Sequence, residues 1–286
     1  MIDEMVKTEW RVLKLEKRHA FEIAAMEEFL LEAASAENAP GLLAFHLWNP
    51  SVSISKNQSL LDVDLKKCRK ENVEVVRTMV GGRAVYHDPD HSLSFCAALG
   101  LNHFKGRNTA PQIFEFFLQR IIRGLGEMGI AADLYDKNYI RVGGKKISGT
   151  AMNIDGRGVV IHGSLLYDIP DKGAYVSRML DLMNLNGHPR EQFHKDIAEM
   201  ITYVKEHADI SREEVCEKLT KGFAGTDDWH YRKLSNNEKA RIFQLMERKY
   251  SFLEWHEGYQ ERGLCWRPYG PVPLSATRGE NPDREL

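Results

Sequence analysis

The stretch VVRTMVGGRAVYHDPDHSLSF, residues 75–95, decides how the chain folds around it. Two β-branched or aromatic runs, 73–77 and 84–87, flank the pair Gly81 and Gly82, which predicts two strands joined by a sharp turn. A strand follows the glycines where a dinucleotide-binding fingerprint has a helix, and the Gly-Lys-Ser/Thr of a P-loop is missing after them. Such a turn either closes a plain hairpin or brings bare backbone close to a bulky or anionic ligand.

Two arginines and a histidine surround this glycine turn. Arg77 and Arg83 flank the glycines, and His87 follows Arg83 after four residues. Guanidinium groups beside exposed backbone N–H groups suit a carboxylate or a phosphate. His87 and His91 have the spacing of a metal-binding helix, but Pro89 between them breaks such a helix. We therefore predict an anion-binding turn and no protein metal site.

A second segment rich in glycine and lysine is NYIRVGGKKISGTAMN, residues 138–153. Lys145 and Lys146 open a short predicted strand that ends at Ser148 and Gly149. Because strand side chains alternate between faces, one of the two adjacent lysines must point toward the interior or a cleft. A cationic amine held there can neutralise charge that develops on a phosphate during nucleotidyl transfer.

The rest of the chain predicts an α+β fold with a mixed or antiparallel sheet and flanking helices, because strands outnumber clean β-α-β alternations. In the strand 159–167, His162 interrupts an apolar run, and taken alone it is a hydrogen-bonded core histidine. The segment from about 175 to 250 is predicted to be mostly helical, with Ser-x-x-Glu capping boxes. The other predicted strands are 43–48, 51–56, 92–99, 139–142 and 145–148, and the other predicted helices are 21–34 and 109–129.

Composition excludes several classes of function. The 39 basic and 41 acidic residues give a net charge of -2 without any block of like charge, so we expect no nucleic-acid partner. The longest apolar runs fall short of the ~18 to 20 residues of a spanning helix, and the charged N-terminus does not resemble a signal peptide, so we expect a cytoplasmic protein without a membrane partner. The four cysteines lie too far apart for a disulfide scaffold or a zinc knuckle; they are Cys68, Cys96, Cys216 and Cys265.

Three motifs in order resemble the lipoate-protein ligase A family of the biotin/lipoate ligase superfamily. They are RTMVGGRAVYHD at 77–88, GKKISGTA at 144–151 and HGSLLYD at 162–168. Supporting matches are AMEEFLL at 25–31, NPSVSISKNQ at 49–58 and LSNNEKARIFQLMERKYSFLEW at 234–255. The resemblance implies a class II synthetase-like catalytic domain over 1–255, with a helical part from about 175, and an irregular Pro/Gly-rich tail at 256–286.

The resemblance also implies a reaction. Ligases of this family activate lipoate or octanoate with ATP and Mg²⁺ to an acyl-adenylate. They pass the acyl group to a lysine of a carrier, either a glycine-cleavage H-like protein or the lipoyl domain of a 2-oxoacid dehydrogenase E2. By the KISG match, Lys146 falls on the family's essential lysine, which contacts the acyl carbonyl and the α-phosphate. The implied ATP- or acyl-adenylate-binding residues are Arg77, Gly81, Gly82, Arg83, Ala84, Val85, Tyr86, His87, Asn138, Ser148, Gly149 and His162.

The sequence departs from the family's pattern at the glycine turn. Thr78 replaces the second arginine, which in the family engages the acyl-adenylate, and Val80 replaces the serine before the glycines. Arg83 replaces the third glycine, as in the GGRAVLHD motif of octanoyltransferase relatives. We hypothesise that Arg83 restores the positive charge that is missing at position 78.

Two other functions compete with the ligase. One is an octanoyl or lipoyl transferase that works without ATP through a cysteine thioester. The GGRAV motif favours this alternative. Its cysteine is expected in the segment 131–139, which has none. The other is a non-catalytic module that binds a lipoyl carrier or an acyl ligand, which Thr78 favours and Lys146 opposes. Residues after 255 are too few for the accessory domain of larger ligases, so we expect a self-sufficient short form or a separate accessory chain.

Overall fold

The structure is a computed structural model that describes residues 8–104, 109–135, 139–184, 189–252 and 255–256. The strands are β1 Trp10–Arg18, β2 Gly41–Trp48, β3 Ser51–Ile54, β4 Glu74–Arg77, β5 Val85–His87, β6 Ser92–Gly100, β7 Ala132–Tyr135, β8 Tyr139–Val142, β9 Lys145–Asp155, β10 Gly158–Leu166 and β11 Trp229–Arg232. The helices are α1 Ala20–Ala34, α2 Leu65–Lys70, α3 Ala110–Gly126, α4 Lys172–Asp181, α5 Arg190–Met200, α6 Arg212–Ala224 and α7 Asn236–Leu245, which continues into a π-helical turn, Met246–Tyr250.

Eight strands form one mixed sheet in the order β11-β1-β2-β6-β10-β9-β8-β7. Strand β1 is parallel to both of its neighbours, and the remaining pairs are antiparallel. A second sheet has the order β4-β3-β5, with β3 parallel to β4 and antiparallel to β5. The predicted α+β class with a mixed sheet and flanking helices is confirmed. Strands β1, β7 and β11 were not predicted, and β11 interrupts the segment that was expected to be helical.

Alternation along the central strands gives the large sheet two buried faces. Phe95, Ala97 and Ile161 pack on one side with helices α3 and α6. Cys96 and Val160, one residue away from these, pack on the other side with α1. We call this second side the α1 face. The segment before the glycine turn borders the same core through Met79 and Val80, and Ala151 of β9 packs against this core as well.

Helix α1 is fixed at its N-terminus by the second sheet. Its N-cap residue, His19, forms no side-chain cap, and the buried Glu74 of β4 accepts a hydrogen bond from Ala20 N at 2.6 Å. The same carboxylate contacts His19 Nδ1 at 2.9 Å. An anionic side chain at a helix N-terminus satisfies free N–H groups and complements the helix dipole. Glu74 thereby sets the position of α1 over the large sheet.

The described residues contain no helix that combines the length and the apolar character needed to cross a membrane.

Candidate active site

Lys146 lies where β9 contains a β-bulge. Strand β8 pairs Arg141 with Lys146 and Ile140 with Ser148, so Ile147 is the extra residue on β9. Ile147 packs into the core beneath α3, and Lys146 projects from the opposite face, where Gly149 also lies. As alternation predicts, one of the two adjacent lysines turns inward. Lys145 is exposed and Lys146 is half-buried.

The Lys146 ammonium sits in a partly desolvated position. Its Nζ lies 4.0 Å from the centroid of the Tyr139 ring, and a Cβ added to Gly149 would be 3.1 Å from this nitrogen. Glycine at 149 therefore gives the amine its space. Burial lowers the pKa of Lys146 to about 8. No carboxylate among the described residues forms an ion pair with Lys146, so the amine can serve an anionic ligand.

The glycine turn lies over the same part of β9. Gly82 has a φ of +107°, which disfavours any residue with a side chain, and a Cβ there would lie 3.7 Å from Ala151 Cβ. At Gly81 an added Cβ would meet nothing within 4 Å among the described residues. Ala151 is two residues from Gly149, which packs against Lys146. The structure therefore brings the two sequence motifs to adjacent positions on one face of β9.

The residues after the glycines point in different directions. Arg83 is exposed at the turn, and Val85 on β5 is also exposed. Ala84 packs partly against the core of the second sheet. Tyr86 is buried in that core, and its hydroxyl donates a hydrogen bond to Asp88 Oδ2 at 2.9 Å. Of these side chains, only the Arg83 guanidinium is a cation beside the glycine turn.

Arg77 is buried and holds backbone rather than facing the turn. Its guanidinium donates to the carbonyl oxygens of Ser55 at 2.8 Å, of Gln58 at 2.7 Å and of His256 at 2.7 Å. Ser148 likewise binds backbone, because its hydroxyl donates to the Ser164 carbonyl at 3.0 Å. The predicted ligand-binding roles of Arg77 and Ser148 remain predictions. In this structure both side chains donate hydrogen bonds to backbone carbonyls. Asn138 lies outside the described residues.

The two predicted histidines come together beside a tryptophan. The His87 ring stacks on Trp48 with centroids 4.1 Å apart, and the His162 ring meets His87 edge to face at 6.0 Å. His87 Nε2 lies 2.8 Å from Ser53 Oγ. Burial, followed by the charge of His162, holds the pKa of His87 well below its usual value, so His87 is neutral.

Three further buried side chains, which the sequence interpretation did not include among the site residues, complete this wall of the site: Glu27 from α1, Cys96 from β6 and Trp48 from β2. Glu27 is fully buried, and its Oε1 lies 2.5 Å from His162 Nδ1, which is also 3.8 Å from Cys96 Sγ. One donor atom from each of Glu27, Cys96 and His162 lies within 4.8 Å of the others, so this group could hold a soft divalent metal. A sequence signal existed for Glu27, since it occupies an apolar position of α1, four residues after Ile23.

Substitution of Gly82 tests the role of the turn. We expect Gly82→Val to raise the KM for the nucleotide at least about tenfold, because the new side chain changes the backbone that would cradle the phosphates. Gly129→Val is the matched control, since Gly129 has a φ of +77° and open space around it, and it lies between α3 and β7. Both variants should lose similar stability, about 1–3 kcal/mol. Equal KM values in the two variants would show that the turn does not bind the nucleotide.

Comparisons with known sequences identify the family to which this domain is similar. The sequence profile of the lipoyl protein ligase A/B catalytic domain matches residues 19–224. Lipoate--protein ligase 1 of Staphylococcus aureus is 28% identical over 82% of this chain and 69% of its own length. Octanoyltransferase LipM of Carboxydothermus hydrogenoformans is 25% identical over 86% of this chain and 97% of its own length.

Solved structures show the same fold. A bi-partite lipoate protein ligase from Thermoplasma acidophilum, studied with its E2 lipoyl domain, superposes with a TM-score of 0.78 at 21% identity, covering 91% of this chain and 100% of that one. Lipoate-protein ligase A bound with ATP superposes with a TM-score of 0.73 at 23% identity, covering 87% of this chain and 99% of that one. The chain belongs to the lipoate-protein ligase A family, and it carries the lipoyl protein ligase A/B catalytic domain.

Proposed function

We propose that this enzyme activates lipoate, or octanoate, with ATP and Mg²⁺ to an acyl-adenylate, and then transfers the acyl group to a lysine of a lipoyl-carrier domain. The observation that carries the proposal is the half-buried Lys146 ammonium, which no carboxylate among the described residues neutralises, beside the bare backbone of the Gly81–Gly82 turn. The ligase relative and the ATP-bound structural neighbour support the same reaction.

The proposed reaction has two half-reactions, and we assign roles in it to the glycine turn, Arg83 and Lys146. In the first, a carboxylate oxygen of the acid attacks the α-phosphorus of ATP, and pyrophosphate leaves. Backbone N–H groups of the turn and the Arg83 guanidinium would hold the phosphates. The Lys146 ammonium would stabilise charge on the α-phosphate and on the acyl carbonyl oxygen. In the second, the carrier lysine amine attacks the acyl carbonyl carbon and AMP leaves.

An ATP-independent transferase is the second candidate, because the octanoyltransferase LipM relatives are similar along nearly their whole length. That route needs a reactive cysteine thiolate. Within the described residues, Cys68, Cys96 and Cys216 are all buried, and burial raises the pKa of each thiol. Glu27 raises the pKa of Cys96 further. These surroundings favour the ATP-dependent ligase.

The pKa of Lys146 predicts how adenylation depends on pH. Because burial lowers this pKa from 10.5 to about 8, the amine is cationic below pH 8 and loses its charge as the pH rises through 8. We expect kcat/KM for ATP to fall above pH 8, since this parameter reports the free enzyme. The guanidinium of Lys146→Arg stays charged at these pH values. Whatever activity this variant has at pH 7 should therefore persist to a higher pH than that of the wild type. An alkaline limb at pH 8 in both proteins would assign the titration to another group.

Intact mass of the carrier distinguishes the candidate functions. The chain is incubated with an apo lipoyl domain in two arms, one with ATP, Mg²⁺ and lipoate, and one with an octanoylated donor carrier and no ATP. A lipoyl mass gain that requires ATP supports the ligase. A gain from the octanoylated donor alone supports the transferase, and no gain in either arm supports a non-catalytic module. Repeating the first arm with a separate accessory chain tests whether this enzyme needs one.

A further inference from the structure

Three side chains with metal-ligating atoms meet on the α1 face of the large sheet. Cys96 on β6 and His162 on β10 are directly opposite each other in the antiparallel pairing, so the backbone fixes their spacing. Glu27 reaches them from α1. Cys96 Sγ lies 3.8 Å and Glu27 Oε1 lies 2.5 Å from His162 Nδ1. We call these three residues the Glu-Cys-His cluster, which shares no member with the His87 and His91 pair.

The carboxylate of this cluster is buried without a lysine or arginine beside it. Glu27 is fully buried, and within the described part of the chain its ion-pair contact is His162, which is charged only when protonated. The Cys96 thiol is its other polar neighbour. Among the same residues, neither Glu27 oxygen has a hydrogen bond of ordinary geometry. Buried charges in proteins are paired or coordinate metals, because an uncompensated charge is costly. A cation at this position would compensate the Glu27 carboxylate.

The donor atoms of the cluster suit a thiophilic divalent cation. Imidazole, thiolate and carboxylate bind Zn²⁺ at about 2.0–2.3 Å, which places the donors of a tetrahedral site about 3.3–3.6 Å apart. The separation of Cys96 Sγ and His162 Nδ1 is close to this range, and Glu27 Oε1 would move away from His162 by about 1 Å to reach it. One carboxylate and one thiolate balance a charge of two, so the buried complex is neutral. Mg²⁺ prefers six oxygen ligands and does not suit this set.

His162 connects the cluster to the candidate active site. Its side chain is 11% exposed, whereas Glu27 and Cys96 are fully buried, so a cation would enter past the imidazole ring. His162 is directly opposite Ala151 of β9, and Ala151 Cβ lies 3.7 Å from the place that a Cβ would take at Gly82. Neighbouring strands are about 4.8 Å apart. A cation bound to His162 would therefore lie next to the residue that faces the glycine turn.

We propose that the Glu-Cys-His cluster is a binding site for one thiophilic divalent cation, such as Zn²⁺, and that the bound cation inhibits the enzyme. The protein ligands are a Glu27 oxygen, the Cys96 thiolate and His162 Nδ1. The thiol proton passes to solvent, and a water molecule takes the fourth position. The cation and its water add bulk to the wall of the site beside Trp48 and His87, and they hold the His162 ring in place. The inhibition rests on the proposed function, whereas the metal binding does not.

Titration with Co²⁺, a spectroscopic substitute for Zn²⁺, tests the metal site without ATP or lipoate. The chain, with its thiols reduced and without a histidine tag, should bind one Co²⁺ and show thiolate-to-cobalt absorption in the near ultraviolet. Zn²⁺ should remove this absorption, and a large excess of Mg²⁺ should not. Cys96→Ala should abolish the absorption, and Glu27→Gln and His162→Ala should each raise the Kd for Zn²⁺ at least about tenfold. Cys216→Ala, on the other side of the sheet, and Cys265→Ala are the matched controls that should keep it.

Absence of thiolate absorption in the wild-type chain would overturn the proposal, as would absorption that survives in Cys96→Ala. The wild-type titration decides against the site even if a variant does not fold. Inhibition is measured separately: one equivalent of Zn²⁺ should remove most of the rate of lipoyl-adenylate formation, and a zinc-selective chelator should restore it. Whatever rate Cys96→Ala has should not change with Zn²⁺. Zinc binding without inhibition would refute the inhibitory role. Failure of the proposed function looks different, because the metal-free wild type then forms no adenylate while the Co²⁺ result stands.

Discussion

Replacing Lys146 by alanine is expected to lower the rate of lipoyl-adenylate formation about 10²- to 10³-fold, the usual effect of removing one preorganised group that stabilises transition-state charge. The amine is half-buried beside the glycine turn, and water would replace it poorly there because the site is partly desolvated. The loss should appear in kcat, since the contact to the α-phosphate strengthens as charge develops. Single-turnover formation of acyl-adenylate, measured by quench and chromatography, checks the value.

Lys145→Ala is the matched control for this prediction. Lys145 is the adjacent residue on the same strand, has the same side chain and is exposed on the other face. Its replacement removes one positive charge from the same region, so the two variants have the same net charge. We expect Lys145→Ala to retain activity within about twofold, because an exposed side chain makes few contacts. Similar losses in both variants would show that general charge, and not the bulge that turns Lys146 inward, carries the effect.

Arg77→Ala should give the largest loss of stability among these substitutions, about 3–5 kcal/mol in the free energy of unfolding. The Arg77 guanidinium donates to backbone carbonyls on both sides, in the 55–58 loop and at His256. Truncation leaves these buried acceptors unpaired, and Trp255, whose indole N–H donates to the Arg77 carbonyl at 2.8 Å, is displaced with them. Urea denaturation followed by tryptophan fluorescence and circular dichroism measures the change. Arg77→Lys keeps the charge but loses the fork of donors, so it should fall between the wild type and Arg77→Ala.

Arg83→Ala separates stability from activity. Arg83 is exposed, so its replacement should change the free energy of unfolding by less than about 0.5 kcal/mol. It should nevertheless reduce ATP-dependent adenylation, since we assign to Arg83 the positive charge that the sequence lacks at position 78. Unchanged adenylation by Arg83→Ala would refute that assignment. A large loss of stability in Arg83→Ala would contradict the assignment of a structural role to Arg77 and a ligand-binding role to Arg83.

Local sequence patterns predicted the central strands and the fold class, because those strands carry clear β-branched and apolar runs between glycine and proline boundaries. Strand β1, WRVLKLEKR, was not predicted since five of its nine residues are charged, and its place is set by parallel pairing with the distant strands β2 and β11. Parallel pairing leaves no turn signal between the partners. The same reason applies to β11, a four-residue edge strand between helices.

The inward orientation of a site residue could be predicted where the motif itself fixes both the type of side chain and the face of the strand on which it lies. The alternation of Lys145 and Lys146 follows from strand periodicity alone. The bulge at Ile147 does not, because it depends on the pairing between β8 and β9. The contact between Glu27 and His162 joins residues 135 positions apart and requires α1 to be docked on the sheet, which no local pattern encodes. Arg77 illustrates the opposite case, since its motif suggested a ligand contact whereas its buried surroundings hold it on carbonyl oxygens.

The central claim is that a carboxyl oxygen of the acid becomes bonded to the α-phosphate of ATP. Transfer of ¹⁸O from carboxyl-labelled lipoate to AMP tests this claim most directly. The chain is incubated with labelled lipoate, ATP, Mg²⁺ and an apo lipoyl domain, with the accessory chain if the enzyme needs one, and AMP is analysed by mass spectrometry. The proposed mechanism predicts one ¹⁸O atom in each AMP released and one AMP for each lipoylated carrier. Unlabelled AMP, or a lipoylated carrier formed without AMP, would contradict it.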